Sequence, residues 1–312
     1  MSGFRPRGIW GAVLLPVQGG DQIDMGALAE LVDILCASGV AGIYTNGTAA
    51  EFFNQTEAEF DAITDLALGV AGRAGVPVQI GVSNSNPRVA RERLRRIAES
   101  DAVAAQITLP DWWPPSETEQ ARFIDGMSEA SDGLPLILYN PPTAKVRLDV
   151  PGIARLRARS ASLVGVKVAG GDAAWYAQRR EMLGDMSVFV AGHTVAFGRP
   201  LGADGAYSNV ACLSPAGAMR HWDMAETDPE AARDVEDRFR RFLHETMIPL
   251  ARDHGLSDAA LDKAMAAAGG WAPVGPDLLW PYSGATPGMV EAIRASAQDL
   301  LSDLMEGRAN SS

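Results

Sequence analysis

Eight short apolar runs recur along the chain with helix-like segments between them, a rhythm that few folds accept. The runs are GIWGAVLLPV (8–17), GVAGIYTNG (39–47), PVQIGVS (77–83), AAQITLP (104–110), LPLILYN (134–140), LVGVKVA (163–169), MSVFVAG (186–192) and DGAYSNV (204–210). Near-continuous apolar runs of this length, bounded by glycine and proline, read as buried strands of a parallel sheet. Between them, Leu28, Leu31, Val32 and Leu35 fall on one face of a helix over Met25–Ser38. Phe60, Ile63, Leu66, Ala67 and Val70 do the same over Thr56–Gly72. Asp24 and Thr56 are suited to cap helix N-termini, Gly39 and Gly72 to end helices, and Pro87 to a first helical turn. Strand–helix alternation repeated eight times predicts the α/β class, as a (β/α)8 barrel. An open doubly wound sheet usually carries a glycine-rich phosphate loop after its first strand, and LLPVQGGDQID has no G-x-G-x-x-G. After residue 214 the alternation stops. Helices are expected over Pro215–Glu226, Pro229–His254, Asp258–Ala268 and Thr286–Glu306, with an irregular Pro/Trp/Gly-rich connector from Gly269 to Gly288. The chain therefore divides into a barrel core over 1–213 and, over 214–312, the last barrel helix with a helical C-terminal extension. The final Arg308–Ser312 stretch is expected to fray.

Composition removes several functions. A net charge of -12 over 312 residues argues against nucleic acid or an anionic membrane as partner, but not against a small anion held by local positive charge. No stretch of ~18 apolar residues suggests a membrane span, and the N-terminal MSGFRPRGIWG lacks the apolar core of a signal peptide. Cys36 and Cys212 stand far apart, which suits a reducing compartment and a cytoplasmic location. His193, His221, His244 and His254 show no paired ligand spacing, so no metal is expected.

The chemical signal is Lys167, in the middle of the apolar run Leu163–Ala169. Burying an unpaired ammonium is costly unless it is paired or deprotonated, and a deprotonated lysine can attack a carbonyl. The chain has only three lysines, Lys145, Lys167 and Lys263, against 24 arginines. Arginine is too basic to form an imine, so lysine at this position invites a chemical reading. A snorkelling or salt-bridged lysine is the plainer alternative. Other polar residues gather at the C-terminal ends of the runs, where barrels of this type carry their chemistry. They include Asn46-Gly47-Thr48, Tyr139-Asn140-Pro141-Pro142, His193, and Tyr207-Ser208-Asn209, with Asp111-Trp112-Trp113 after the fourth run. Each also has a structural reading: a turn, a core tyrosine, a rigid loop, an interface aromatic.

Taken together, these residues resemble the dihydrodipicolinate synthase / N-acetylneuraminate lyase family of Schiff-base aldolases. Gly47-Thr48-Ala49-Ala50-Glu51 resembles the family's Gly-Thr/Ser-Thr-Gly-Glu loop, Tyr139-Asn-Pro-Pro142 its Tyr-Asn-x-Pro, and Gly165-Val-Lys167 its Gly-Ile/Val-Lys. Gly202-Ala-Asp-Gly-Ala-Tyr-Ser208 resembles its Gly-x-x-Gly-x-x-Ser stretch. Each motif is short; their order and joint spacing carry the resemblance, which covers nearly the whole chain. It implies that Lys167 forms an imine with a 2-oxo acid, usually pyruvate, while Tyr139 shuttles protons. It implies that Thr48, with the N–H groups of Gly47, Thr48 and Ala49, holds the carboxylate, and that Tyr207 contacts the keto acid. It implies a homo-oligomer, dimer or tetramer, and no metal or organic cofactor.

Departures from the family pattern concern the second substrate. Ala49 lacks a relay hydroxyl, Asp111 and Trp112 stand where synthases carry a tyrosine pair, and Val168 replaces a common glutamate. Ala144, beside Lys145, stands where an arginine would hold a second carboxylate. The expectation is an aldolase-type lyase distinct from dihydrodipicolinate synthase itself. Trp112, Trp113 and His193 would line a bulkier partner pocket, with Lys145 as an alternative cation. A dehydratase of 2-keto-3-deoxy sugar acids by the same imine, and a non-catalytic metabolite-binding homologue, are the alternatives.

Overall fold

A computed structural model describes residues 4–305. Eight parallel strands close into a barrel: β1 (Gly8–Ala12), β2 (Gly42–Thr45), β3 (Val78–Gly81), β4 (Ala104–Thr108), β5 (Leu136–Tyr139), β6 (Leu163–Lys167), β7 (Ser187–Ala191) and β8 (Gly205–Tyr207). Each lies within its expected run. The last run is shorter than expected: the strand stops at Tyr207, and Ser208 caps a short helix, α8 (Asn209–Leu213). The Ser208 hydroxyl accepts from the Ala211 N–H, which converts the end of the apolar run into a helical turn.

The helices between the strands are α1 (Met25–Ala37), α2 (Glu57–Ala74), α3 (Pro87–Ala98), α4 (Glu117–Ala130), α5 (Val150–Arg157), α6 (Ala173–Leu183) and α7 (Val195–Leu201). Their starts were legible. Asp24 accepts from the Gly26 and Ala27 N–H groups, Thr56 forms a reciprocal capping box with Glu59, and Asn86 caps the helix that opens on Pro87. The Gly72 stop is corrected. Helix α2 runs through Gly72 to Ala74 and ends on Gly75, whose φ of +69° supplies the left-handed turn.

Beyond the barrel lie α9 (Pro215–Thr227), α10 (Pro229–Phe242), α11 (Ile248–His254), α12 (Asp258–Gly269) and α13 (Pro287–Met305). The single helix expected over Pro229–His254 is interrupted by a π-helical turn, Leu243–Met247. Pro249 lacks the N–H that would continue the regular ladder there, and the wider turn accommodates it. Glu306 and the Arg308–Ser312 stretch lie outside the described residues. Among the described residues no helix is long and apolar enough to cross a membrane.

Two consequences position the site. The β5–β6 register sets Tyr139 directly beside Lys167 at the C-terminal ends of the strands. Inside the barrel, Trp10, Phe189, Tyr207 and Tyr44 pack ring against ring, with centroids 4.6–6.4 Å apart. The Tyr207 hydroxyl donates to Gln79 Oε1 at 2.5 Å. This aromatic layer forms the floor. Helix α12 packs on α8 and on the turn after β2, and so lies over the mouth as a roof.

Candidate active site

The strand-end residues converge on a 360 Å³ cavity lined by Lys167, Tyr139, Tyr44, Tyr207, Thr48, Ala49, His193 and Asn209. Among the described residues Lys167 makes no salt bridge. Its Nζ instead sits 4.1 Å from the Tyr139 ring centroid, 5.3 Å from that of Tyr207 and 5.4 Å from that of Tyr44. Three ring faces stabilise a cation without giving it a fixed partner, and leave the nitrogen open to the cavity. The salt-bridged alternative is not what the fold builds.

The three tyrosines are not equivalent. Tyr44 and Tyr207 are buried, and burial raises both hydroxyls well above the ordinary phenol range. Tyr207 also spends its proton on Gln79. Tyr139 is half-buried, and among the described residues its hydroxyl makes no hydrogen bond. It is the tyrosine free to exchange a proton with a ligand.

The turn carrying Thr48 is held at both ends by residues with left-handed backbone, Asn46 and Glu51, each at φ 53°. Such conformations are uncommon without glycine and persist where the surroundings fix them. Asn46 Nδ2 donates to Thr64 Oγ1 at 3.0 Å. Glu51 forms a fully buried ion pair with Lys263 of α12 at 3.1 Å and also accepts from the Leu279 N–H. Within the turn, the N–H groups of Ala50, Glu51 and Phe52 bond back to Gly47 and Thr48. Among the described residues those of Gly47, Thr48 and Ala49 have no backbone acceptor. Thr48 lines the cavity. Gly47 lies against the Tyr44 ring, where a Cβ would come within 3.0 Å of it.

At the rim, His193 Nδ1 lies 3.2 Å from Asn209 Oδ1, and burial lowers its pKa, so the ring is held neutral. Asn140 pins the loop after β5 by exchanging two hydrogen bonds with the Leu148 backbone. That loop walls a second, 210 Å³ cavity, which shares Thr48, Tyr139 and Asp258 with the first. Phe52, Leu109, Leu138, Ala144 and Val146 supply its apolar wall, and Asp111 and Asp258 its charges.

Three expected side chains are not brought to either cavity. Trp112 and Trp113 are 81% and 79% exposed and flank an outer groove beside Arg88 and Arg122. Lys145 is tied to the same outer loop: its Nζ donates to the Trp112 carbonyl at 3.0 Å and its N–H to Asp111. The loop geometry spends Lys145 on backbone, so within one chain it does not face the cavities.

Sequence reasoning missed the roof. Asp258, Leu261, Asp262 and Met265 all line the first cavity from one face of α12, with Leu243 and Met247 from the π turn and Cys212 from α8. The i, i+3, i+4, i+7 spacing was visible, but nothing local said which surface that helix covers.

A barrel with an unpaired lysine and an open tyrosine at the strand ends defines a lysine-centred (β/α)8 architecture, and comparison with known proteins assigns it. The chain belongs to the dihydrodipicolinate synthetase family, whose sequence profile matches residues 5–248. It is 29% identical to the 4-hydroxy-tetrahydrodipicolinate synthase of Thermomicrobium roseum over 250 residues, 79% of each chain. It is 27% identical to the N-acetylneuraminate lyase of Citrobacter koseri over 174 residues, 50% of this chain and 56% of the lyase. In fold it is similar to a prophage protein of the dihydrodipicolinic acid synthase family from E. coli K12, solved in complex with pyruvate. The TM-score is 0.82 at 21% identity, covering 94% of this chain and 98% of that one. The sialic acid aldolase of Ruminococcus gnavus is similar too, with a TM-score of 0.81 at 16% identity, covering 96% and 99%.

Proposed function

We propose that the protein is a Schiff-base lyase that cleaves or forms a carbon–carbon bond next to a 2-oxo acid, pyruvate first among them. The observation that carries this reading is Lys167 Nζ, free of salt bridges, 4.1 Å from the ring of a tyrosine whose hydroxyl is uncommitted. Lys167 attacks the keto carbon, and the protonated imine then serves as an electron sink. Tyr139 moves the protons of imine formation. Thr48 and the unpaired N–H groups of its turn hold the carboxylate. Tyr207 supplies the floor, and His193 with Asn209 one wall. The pyruvate complex of the prophage protein supports the choice of 2-oxo acid.

The partner is a carbonyl compound without a carboxylate. Lys167 is the one lysine or arginine among the residues lining the two cavities, and Asp111 and Asp258 add negative charge. A second carboxylate there meets like charge, which costs several kcal/mol. Neutral aldehydes should therefore be turned over with pyruvate at least ~10-fold faster than carboxylated ones of similar size. Borohydride trapping with pyruvate, followed by an aldehyde screen, tests both statements. A stable adduct with selection for neutral partners supports them, and preference for a carboxylated aldehyde removes the second. Release of pyruvate from a 2-keto-3-deoxy substrate marks aldol cleavage, and retention of all its carbons marks the dehydratase alternative. A folded protein that traps no 2-oxo acid is a metabolite-binding homologue.

The exposed Trp112–Trp113 face suits contact with a second copy of the chain, and a homo-oligomer, dimer or tetramer, is part of this reading. Light scattering at micromolar concentration should give at least a dimer; a monomer removes the proposal.

A further inference from the structure

Helix α12 places a carboxylate in the cavity that holds the lysine. Asp262 lines the same cavity as Lys167 and Tyr139, and it comes from the roof rather than from a strand end. The other acids packed into this protein have basic partners. Glu51 is paired with Lys263, Glu236 with Arg240, and Asp204 with Arg179. No salt bridge is recorded for Asp262 among the described residues. The groups facing it are Asp258 one turn earlier on its own helix, the Cys212 thiol from α8, Lys167 from β6 and Tyr44 from β2. Burial holds the Cys212 thiol protonated, and it donates to the Ser208 carbonyl. A carboxylate that is desolvated, unpaired by arginine and open to a ligand cavity has the surroundings of a group kept for proton transfer rather than for stability.

We propose that Asp262 is a catalytic residue, the base that removes the C3 proton of the 2-oxo acid once it is bound to Lys167, and the acid that returns it. The inference rests on the imine reading. In that step the Lys167 imine, already formed with loss of one water, carries positive charge at nitrogen. The C3–H bond breaks and its electron pair becomes the C2=C3 bond. The C2=N pair moves onto nitrogen, giving a neutral enamine. The proton goes to the Asp262 carboxylate, so charge and atoms balance without any oxidant or reductant. Tyr139, ring-on to the lysine nitrogen, is left to the protons of the nitrogen and the carbinol oxygen. Burial and the Asp258 charge push the Asp262 carboxyl up to about 7, with Lys167 opposing, so both protonation states are within reach near neutral pH.

The step needs no second substrate, so pyruvate alone tests it. In D2O the enzyme should exchange the pyruvate methyl hydrogens for deuterium, read as loss of the methyl proton signal. Asp262→Asn should slow that exchange by ~10²-fold or more while borohydride still traps pyruvate on Lys167. Wild-type exchange should rise through about pH 7, an inflection that Asp262→Asn lacks. Asp262→Glu should restore part of the rate. Stability moves the other way. Because the folded-state pKa is raised, the stabilising contribution is present at low pH and lost as pH rises through about 7. At pH 8, Asp262→Asn should therefore melt higher than wild type. Wild-type exchange in Asp262→Asn with the adduct intact overturns the proposal. So does loss of the adduct together with a lower melting temperature, which marks a structural residue. Absence of an adduct in wild type refutes the imine reading itself, and this assignment falls with it.

Discussion

Lys167→Ala loses the borohydride-trapped pyruvate adduct entirely, and turnover falls by at least ~10³-fold. The argument is covalent. Without the amine there is no imine and no electron sink, and what remains is a cavity that binds and polarises a keto acid. The variant stays folded, because Lys167 has no recorded salt bridge and its neighbours are ring faces at 4.1–5.4 Å. Deleting such a group removes only modest cation–ring attraction, so the melting temperature holds. Lys167→Arg separates charge from nucleophilicity. It keeps a cation under the carboxylate, yet guanidinium is too basic to condense with a ketone, and it too gives no adduct. Intact mass and peptide mapping after reduction check all three proteins. An adduct that survives Lys167→Ala moves the chemistry to another lysine and refutes the site.

The largest stability effect is expected at the buried pair that ties the site turn to the roof. Glu51 and Lys263 are both fully buried, 3.1 Å apart, and Glu51 also receives the Leu279 N–H. Burial holds the Lys263 ammonium below the usual lysine range, with Glu51 opposing that shift. Lys263→Met leaves a carboxylate uncompensated in the interior, at a cost of about 3–5 kcal/mol. The same change releases the left-handed backbone at Glu51 and with it the Thr48 turn, so 2-oxo acid affinity should weaken too. Glu51→Gln with Lys263→Met removes both charges and should recover much of the stability. Denaturant melts of the two single variants and the double variant close the cycle. Simple additivity, with the double variant at the sum of the singles, would show that the two charges do not depend on each other.

Local chemistry made much of this legible. Strand runs bounded by glycine and proline, capping residues such as Asp24 and Thr56, and strand-end polarity each act within a few residues, and the structure follows them. The misreadings came from competition between neighbours. At Gly72 the helix continued because a residue in helical conformation does not end it, and the left-handed stop lay at Gly75. At Pro249 a missing N–H forced a π turn into what periodicity reads as one helix. For Lys145, the sequence does not show that its ammonium donates to the Trp112 carbonyl within one chain.

The sequence by itself determined the barrel, the rank of Lys167 as its one buried-strand lysine, and the presence of Tyr139 and Thr48 at the C-terminal ends of strands. These follow from period, burial cost and parallel register, all written locally. Only the tertiary structure decided that α12 roofs the mouth, that Asp262 lines the cavity of Lys167, and that Glu51 is fixed by Lys263, 212 residues away. Those are contacts between surfaces far apart in the chain. The amphipathic pattern of a helix says that it has a buried face, and it does not say against what.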